Sequence, residues 1–265
     1  MNELACMESA YREVFRQVGH VDGVEWIETS TIARVRSSVP TPWLNIVLST
    51  QAEPPEQPSL IASLVGESQQ RGTPLLWRLG PATPHRATLG PALREAGFHP
   101  APPSTALIGH IPRWLGLWRV LPVRVRGEQV ADDESYREWF DVFAAAFGVP
   151  AALADPFTAV ARGGFAPEAP VQNLRLLASG RTVACCTTLW SPDLPFASVF
   201  NFAVAPDQRR SGWGRYLLAF AAYHLRDRGC RTIGQFSTPE GAPFYERVTA
   251  TRRLGTFDNW IWVGP

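Results

Sequence analysis

The chain has no lysine: all 25 of its basic residues are arginines, an absence that reflects genome composition rather than function. Cysteine is scarce. Cys6, Cys185, Cys186 and Cys230 match neither a metal-ligand spacing nor a disulfide framework, which leaves them as reduced, mostly core residues of a cytosolic protein. Net charge is only +1, which excludes a global field for nucleic acid or an anionic membrane. No apolar run approaches the length of a membrane span, and residues 1–15 are amphipathic and acidic, unlike a signal peptide. A cytoplasmic location with no membrane and no nucleic-acid partner is therefore expected, with no bound metal. What is present is a globular composition, 45% hydrophobic and 18% charged, over 265 residues, enough for one large domain or two modest ones.

The most informative stretch runs from Val199 to Arg228. VFNFAVAP reads as a buried strand ended by Pro206. RYLLAFAAYHLRDR carries apolar residues at Leu217, Leu218, Ala221, Ala222 and Leu225, the stripe of an amphipathic helix stopped at Gly229. Between them lies DQRRSGWG. A glycine-bearing loop that opens a helix leaves backbone N–H groups bare for an anion. A P-loop is excluded, because Arg215 and Tyr216 follow Gly214 where Lys and Ser/Thr are needed. A dinucleotide fingerprint is excluded by Leu217 in place of its third glycine.

Arg209-x-x-Gly212-x-Gly214 after an apolar strand resembles the pyrophosphate loop of the GNAT superfamily of acyl-CoA-dependent N-acyltransferases. The resemblance implies that Arg209, Arg210, Ser211, Gly212, Trp213, Gly214 and Arg215 wrap the CoA pyrophosphate, with glycines where a Cβ would block approach. It implies that Phe202, Ala203 and Val204 meet pantetheine and that a local distortion there turns an N–H toward the acyl carbonyl. A second signature fits Phe244-Tyr245-Glu246-Arg247 after strand 231–237, where the family places its tyrosine beside the thioester sulfur; Tyr245 is then the general acid. The family's Gly-Phe is replaced by Thr249-Ala250. Thr238-Pro239-Glu240 reads as the start of that helix, and 251–263 as closing strand material with a hairpin near Gly255 or Asp258-Asn259. No base stands out: Asn201 is neutral, His224 reads as structural, and Glu168 and Asp193 read as loop acids.

The N-terminal half shows a helix at 3–18, strands at 32–37, 44–49, 74–79 and 104–111, a helix after Ser59 and another at 85–96, stopped by Gly97-Phe98. This order matches the C-terminal half and points to an internal repeat, with an unrelated α/β domain as the alternative. Where the second half has QRRSGWG, the first has QAEPPEQP, with three prolines and two glutamates, unsuited to phosphate. The expected fold is α/β with a mixed sheet: two fused GNAT-like domains, 1–115 degenerate and 116–265 binding acyl-CoA. The expected function is transfer of an acetyl or other acyl group from acetyl-CoA to a primary amine of a small molecule or peptide. The alternatives are a CoA-responsive module without turnover and a purely structural protein. Lacking lysine, the chain cannot acetylate its own side-chain amines in that way.

Overall fold

The computed structural model describes residues 3–19, 23–116, 125–190, 196–249 and 251–264. Among them, in chain order, run α1 (Glu3–Val18), β1 (Val24–Glu28), β2 (Ile32–Ser37), β3 (Ile46–Thr50), α2 (Gln57–Arg71), β4 (Leu75–Leu79), α3 (Arg86–Glu95), β5 (His99–His110) and α4 (Ile111–Leu115). Then follow β6 (Val125–Gln129), α5 (Asp133–Phe147), α6 (Ala154–Ala161), β7 (Val171–Ala178), β8 (Arg181–Leu189), β9 (Phe196–Val204), α7 (Trp213–Arg226), β10 (Thr232–Ser237), α8 (Ala242–Thr249) and β11 (Arg252–Trp262). The protein is a mixed α/β fold. No helix among the described residues is long and apolar enough to cross a membrane.

The chain forms two compact units. The first comprises Met1–Ala106, Ser237–Glu240 and Leu254–Pro265; the second comprises Leu107–Phe236 and Gly241–Arg253. This differs from the division at 115/116 expected from the sequence, most of all at the C-terminus. The closing strand returns to the first unit because β11 pairs antiparallel with β4, from Asp258↔Leu79 to Trp262↔Leu75. It runs unbroken across Gly255 and Asp258-Asn259, so the expected hairpin is absent. The sequence LWRVLPVRVR at 117–126 reads as the strand that opens the second half; its residues 117–124 lie outside those described, and β6 begins at Val125.

In the first unit the strand order is β1-β2-β3-β4-β11-β5. β1 to β3 form an antiparallel meander, and β4 lies parallel to β3. α2 begins at Gln57 rather than after Ser59, because Pro58 suits a first turn whose N–H groups have no intrahelical partner. Its Gly72 cap is left-handed at φ 64°. Trp77, Leu79, Leu89, Leu93 and Phe98 are buried together beneath α2 and α3.

In the second unit β6 to β9 form an antiparallel meander, and β10 adds in parallel to β9. The sequence offers Asp132 or Asp133 as the cap of α5, and the cap is Asp132: it accepts from Ser135 N at 2.7 Å, and Ser135 closes the capping box. Such a cap is worth about 1 kcal/mol. Cys185 and Cys186 both lie fully buried on β8. Trp139 of α5 donates to the Cys186 carbonyl at 3.1 Å, while Cys186 joins the cluster made by Leu217, Leu218, Ala221, Ala222 and Leu225 of α7. Burial pushes both thiols up, so they stay protonated and inert. Each unit thus repeats one order: helix, three-stranded meander, helix, parallel strand, helix.

Candidate active site

β9 and β10 pair over three positions only, Phe196↔Thr232, Ala197↔Ile233 and Ser198↔Gly234. β9 then continues to Val204 and β10 to Ser237 without further pairing to each other. The two strands part, and the edge of β9 beyond Ser198 is left with backbone groups to satisfy. On its other edge β9 pairs with β8 through Phe200↔Thr187 and Ala203↔Cys185, so Asn201 and Phe202 together oppose Cys186. That is a β-bulge, which rotates backbone groups out of the ladder. Asn201 sits in the left-handed region at φ 49°, where Asn is among the most tolerant side chains. Its Nδ2 donates to Thr187 Oγ1 at 3.0 Å, and Thr187 Oγ1 donates to Asn173 Oδ1 at 2.7 Å. The distortion begins at Asn201, one residue before the expected Phe202–Val204. Phe202 and Val204 are half-buried and Ala203 is buried.

The loop after β9 has the form an anion needs. Arg209 is extended, Arg210 is left-handed at φ 67°, and Gly212 is left-handed at φ 88° in the N-cap position of α7. No side chain caps this helix. Arg209, Arg210, Ser211, Gly212 and Arg215 are exposed, and none of the three arginines pairs with an acid among the described residues. Alternating backbone hand at a helix N-terminus makes a concave nest of N–H groups. Trp213 Nε1 reaches Gln208 Oε1 at 3.4 Å, and the Trp213 ring lies 5.9 Å from that of Tyr216. Asp207 is turned aside: Gln208 Nε2 at 3.2 Å and Arg181 at 3.0 Å hold its carboxyl below the usual range.

The two glycines do different work. A Cβ at Gly212 would meet nothing nearer than Tyr216 at 4.0 Å, so its requirement is the left-handed φ. A Cβ at Gly214 would lie 2.9 Å from Phe244 Cζ, so this glycine lets α8 pack on α7. The sequence pointed to phosphate for both; the close neighbour of Gly214 is an aromatic ring.

α8 begins at Ala242, not at Pro239. Pro243 falls in its first turn, where its missing N–H costs nothing, and Phe244 N and Tyr245 N both donate to Gly241 O. Tyr245 is 7% exposed, with its ring edge-on to Phe202 at 5.6 Å and to Phe244 at 5.3 Å. Burial pushes its phenol well above the ordinary value, so it stays protonated throughout the working pH range. The side chains of Thr249 and Ala250, and Asp193, lie outside what is described.

His224 holds a loop. Gln172 Nε2 donates to Pro167 O at 2.5 Å and to Ala166 O at 3.3 Å, so its Oε1 accepts from His224 Nε2 at 2.5 Å. Burial, with Arg228 nearby, brings His224 down to about 4. Arg228 adds a bond to Pro167 O at 2.7 Å. Glu168 is exposed. The sequence passed over Gln235. It is 2% exposed on β10, one residue past the last pair with β9, and neither its Oε1 nor its Nε2 has a partner among the described residues. A polar amide inside an otherwise apolar strand, TIGQFS, was the available signal. Among the described residues no cluster of His, Cys, Asp and Glu has a metal-binding arrangement.

Residues 173–248 match the family model described as acetyltransferase (GNAT) domain. No curated protein matches the sequence. A GCN5-related N-acetyltransferase from Kribbella flavida is similar over 100% of this chain and 97% of its own, at 17% identity and TM-score 0.72. A conserved protein of unknown function from Staphylococcus epidermidis is similar over 97% and 100%, at 14% identity and TM-score 0.71. A tandem GNAT protein from the clavulanic acid biosynthesis pathway is similar over 98% and 95%, at 12% identity and TM-score 0.60. The C-terminal half of this chain therefore carries a GNAT-family acetyltransferase domain, within a whole-chain fold shared with tandem GNAT proteins.

Proposed function

We propose that the second unit transfers an acetyl or other short acyl group from acyl-CoA to a primary amine of a small molecule or peptide. The observation that carries this reading is one continuous run of backbone. β9 parts from β10 after Ser198↔Gly234, bulges at Asn201, and leads through Arg209–Arg215 into an uncapped helix N-terminus. Pantetheine amides fit the free edge of β9 at Phe202, Ala203 and Val204, and the pyrophosphate fits the nest from Arg209 to Arg215. The N–H groups turned out by the bulge polarise the thioester carbonyl. The neutral amine nitrogen attacks that carbon, the C–S bond breaks, and the departing thiolate takes a proton from Tyr245, whose burial keeps the phenol protonated; the proton shed by the nitrogen as the amide forms passes to water, and water returns one to Tyr245.

Under this proposal the catalytic part lies in 116–265 and residues 1–115 bind no CoA. In the first unit Glu56 Oε2 accepts from Glu53 N at 3.2 Å, so a carboxylate already occupies a backbone donor in the corresponding loop. Counting back from Gly97-Phe98, Leu93 stands where Tyr245 stands in the second unit. The alternative is a CoA-responsive module without turnover. It is favoured by the neutral Asn201–Thr187–Asn173 network at the bulge, which supplies no base. The test is release of free thiol from acetyl-CoA by the full chain with a panel of amines, with mass analysis of the products. Tyr245→Phe should lower kcat by roughly 10- to 10⁴-fold with acetyl-CoA affinity kept. Tight acetyl-CoA binding with no acylated amine from any member would favour the sensor reading. An unchanged kcat in Tyr245→Phe would remove Tyr245 from the chemistry.

A further inference from the structure

The first unit contains a second parting of parallel strands. β3 and β4 pair only at Ile46↔Leu76 and Val47↔Trp77. On its other edge β3 bulges at Leu48, since Val47 faces Arg34 and Ser49 faces Ala33. This mirrors the bulge and parting of β9. A cleft of about 200 Å³ opens where the ladder stops, walled by Leu48–Gln51, the 80–84 loop and one face of α1.

The charges around this cleft are specific. Glu8, Ser9 and Arg12, on one face of α1, line it with Ser49, Gln51 and Thr83. Arg12 is matched by Glu28 at 3.7 Å. Glu53, which is not part of the lining, lies 3.1 Å from His85 Nε2. Among the described residues Glu8 makes no ion pair; it accepts from the backbone N–H of Ala82. Burial pushes its carboxyl up, against the hydrogen bond from Ala82. Thr83 Oγ1 accepts from Gly80 N at 2.8 Å, which leaves its O–H free to turn. Gly80 makes room for both Glu8 and Phe257, because a Cβ there would collide with Glu8 Oε1 and with the Phe257 ring at 2.5 Å.

We infer that the cleft of the first unit is a binding site for a small ligand bearing a primary ammonium group, with Glu8 receiving the ammonium and hydroxyls of the cleft wall completing its shell. An anion is disfavoured by Glu8 and by the carboxylates of the 53–56 loop, and an apolar ligand would leave Glu8 desolvated and unpaired. This inference does not depend on the transferase reading of the second unit.

The test uses three probes of one size on the full chain: n-propylamine, 1-propanol and propionate. Calorimetric titration should show saturable binding of n-propylamine, at least 10-fold tighter than either control. Glu8→Gln should weaken it at least 10-fold while acetyl-CoA affinity stays unchanged. Gly80→Ala, which keeps the charge but crowds both the carboxylate and the Phe257 ring of the cleft, should weaken it as well. Crystals soaked in n-propylamine should show its nitrogen within hydrogen-bond distance of the Glu8 carboxylate. Equal affinity for the three probes, wild-type affinity in Glu8→Gln, or density for the amine only outside this cleft would each overturn the inference. The density alone decides if a variant fails to fold.

Discussion

Gly214→Ala separates two roles that one motif combines. The added methyl would stand 2.9 Å from Phe244 Cζ and 3.4 Å from Cε2, against the 3.5–4.0 Å of ordinary carbon contacts. Phe244 cannot yield freely, because its ring packs on Phe202 at 6.1 Å and on Tyr245 at 5.3 Å. Overpacking of this kind costs roughly 1–3 kcal/mol. For a protein of this size that lowers the melting temperature by roughly 2–4 °C per kcal/mol, so a fall of about 2–12 °C is expected. The strain also passes to Tyr245, so kcat should fall more than acetyl-CoA affinity. Gly212→Ala meets no such wall. Its cost is the left-handed φ of 88°, and the exposed loop relieves that by changing shape. Acetyl-CoA affinity should then fall by roughly 10-fold or more, while the melting temperature moves little. Scanning calorimetry and acetyl-CoA titration on both variants, and on Gly214→Ala/Phe244→Leu, make the comparison. Trimming Phe244 should restore most of the lost melting temperature. A Gly214→Ala protein that melts like wild type, or a double variant no better than the single, would refute the packing argument. Wild-type acetyl-CoA affinity in Gly212→Ala would refute the anion nest.

Acid should weaken the fold through His224. Its folded value, near 4, lies below the ordinary 6.5, so the unfolded chain binds the proton first as pH falls. Up to about 3 kcal/mol of stability, fully present above pH 6.5, is lost as pH drops toward 4. Denaturant melts across that window should show the slope in wild type and a shallower one in His224→Gln. Titration with acetyl-CoA should give one site per chain, since Pro54, Pro55 and Pro58 bring no N–H donors to the loop of the first unit and Glu56 occupies another. A stoichiometry near two, or CoA density beside residues 51–58, would show otherwise.

Much of the second unit was legible in the chain because its signals are local. The glycine spacing, the Asp132 cap, the apolar stripe of α7 and the Phe244-Tyr245-Glu246-Arg247 segment each act within a few turns of backbone, so periodicity and residue type suffice. The repeat was legible for the same reason, as an order of strands and helices. Helix starts at Gln57 and Ala242 were misjudged: Pro58 precedes Ser59 by one residue, Pro243 follows Thr238 by five, and each helix begins at the residue just before that proline, which then sits in the first turn. The rest required long-range contact. That β11 returns to β4, that β9 and β10 part after three pairs, and that Gly214 answers to Phe244 are pairings between residues distant in sequence. So is the cleft around Glu8, where α1 meets the parted end of β3. Such contacts are set by which surfaces exclude water together, and no window of neighbouring residues contains that information.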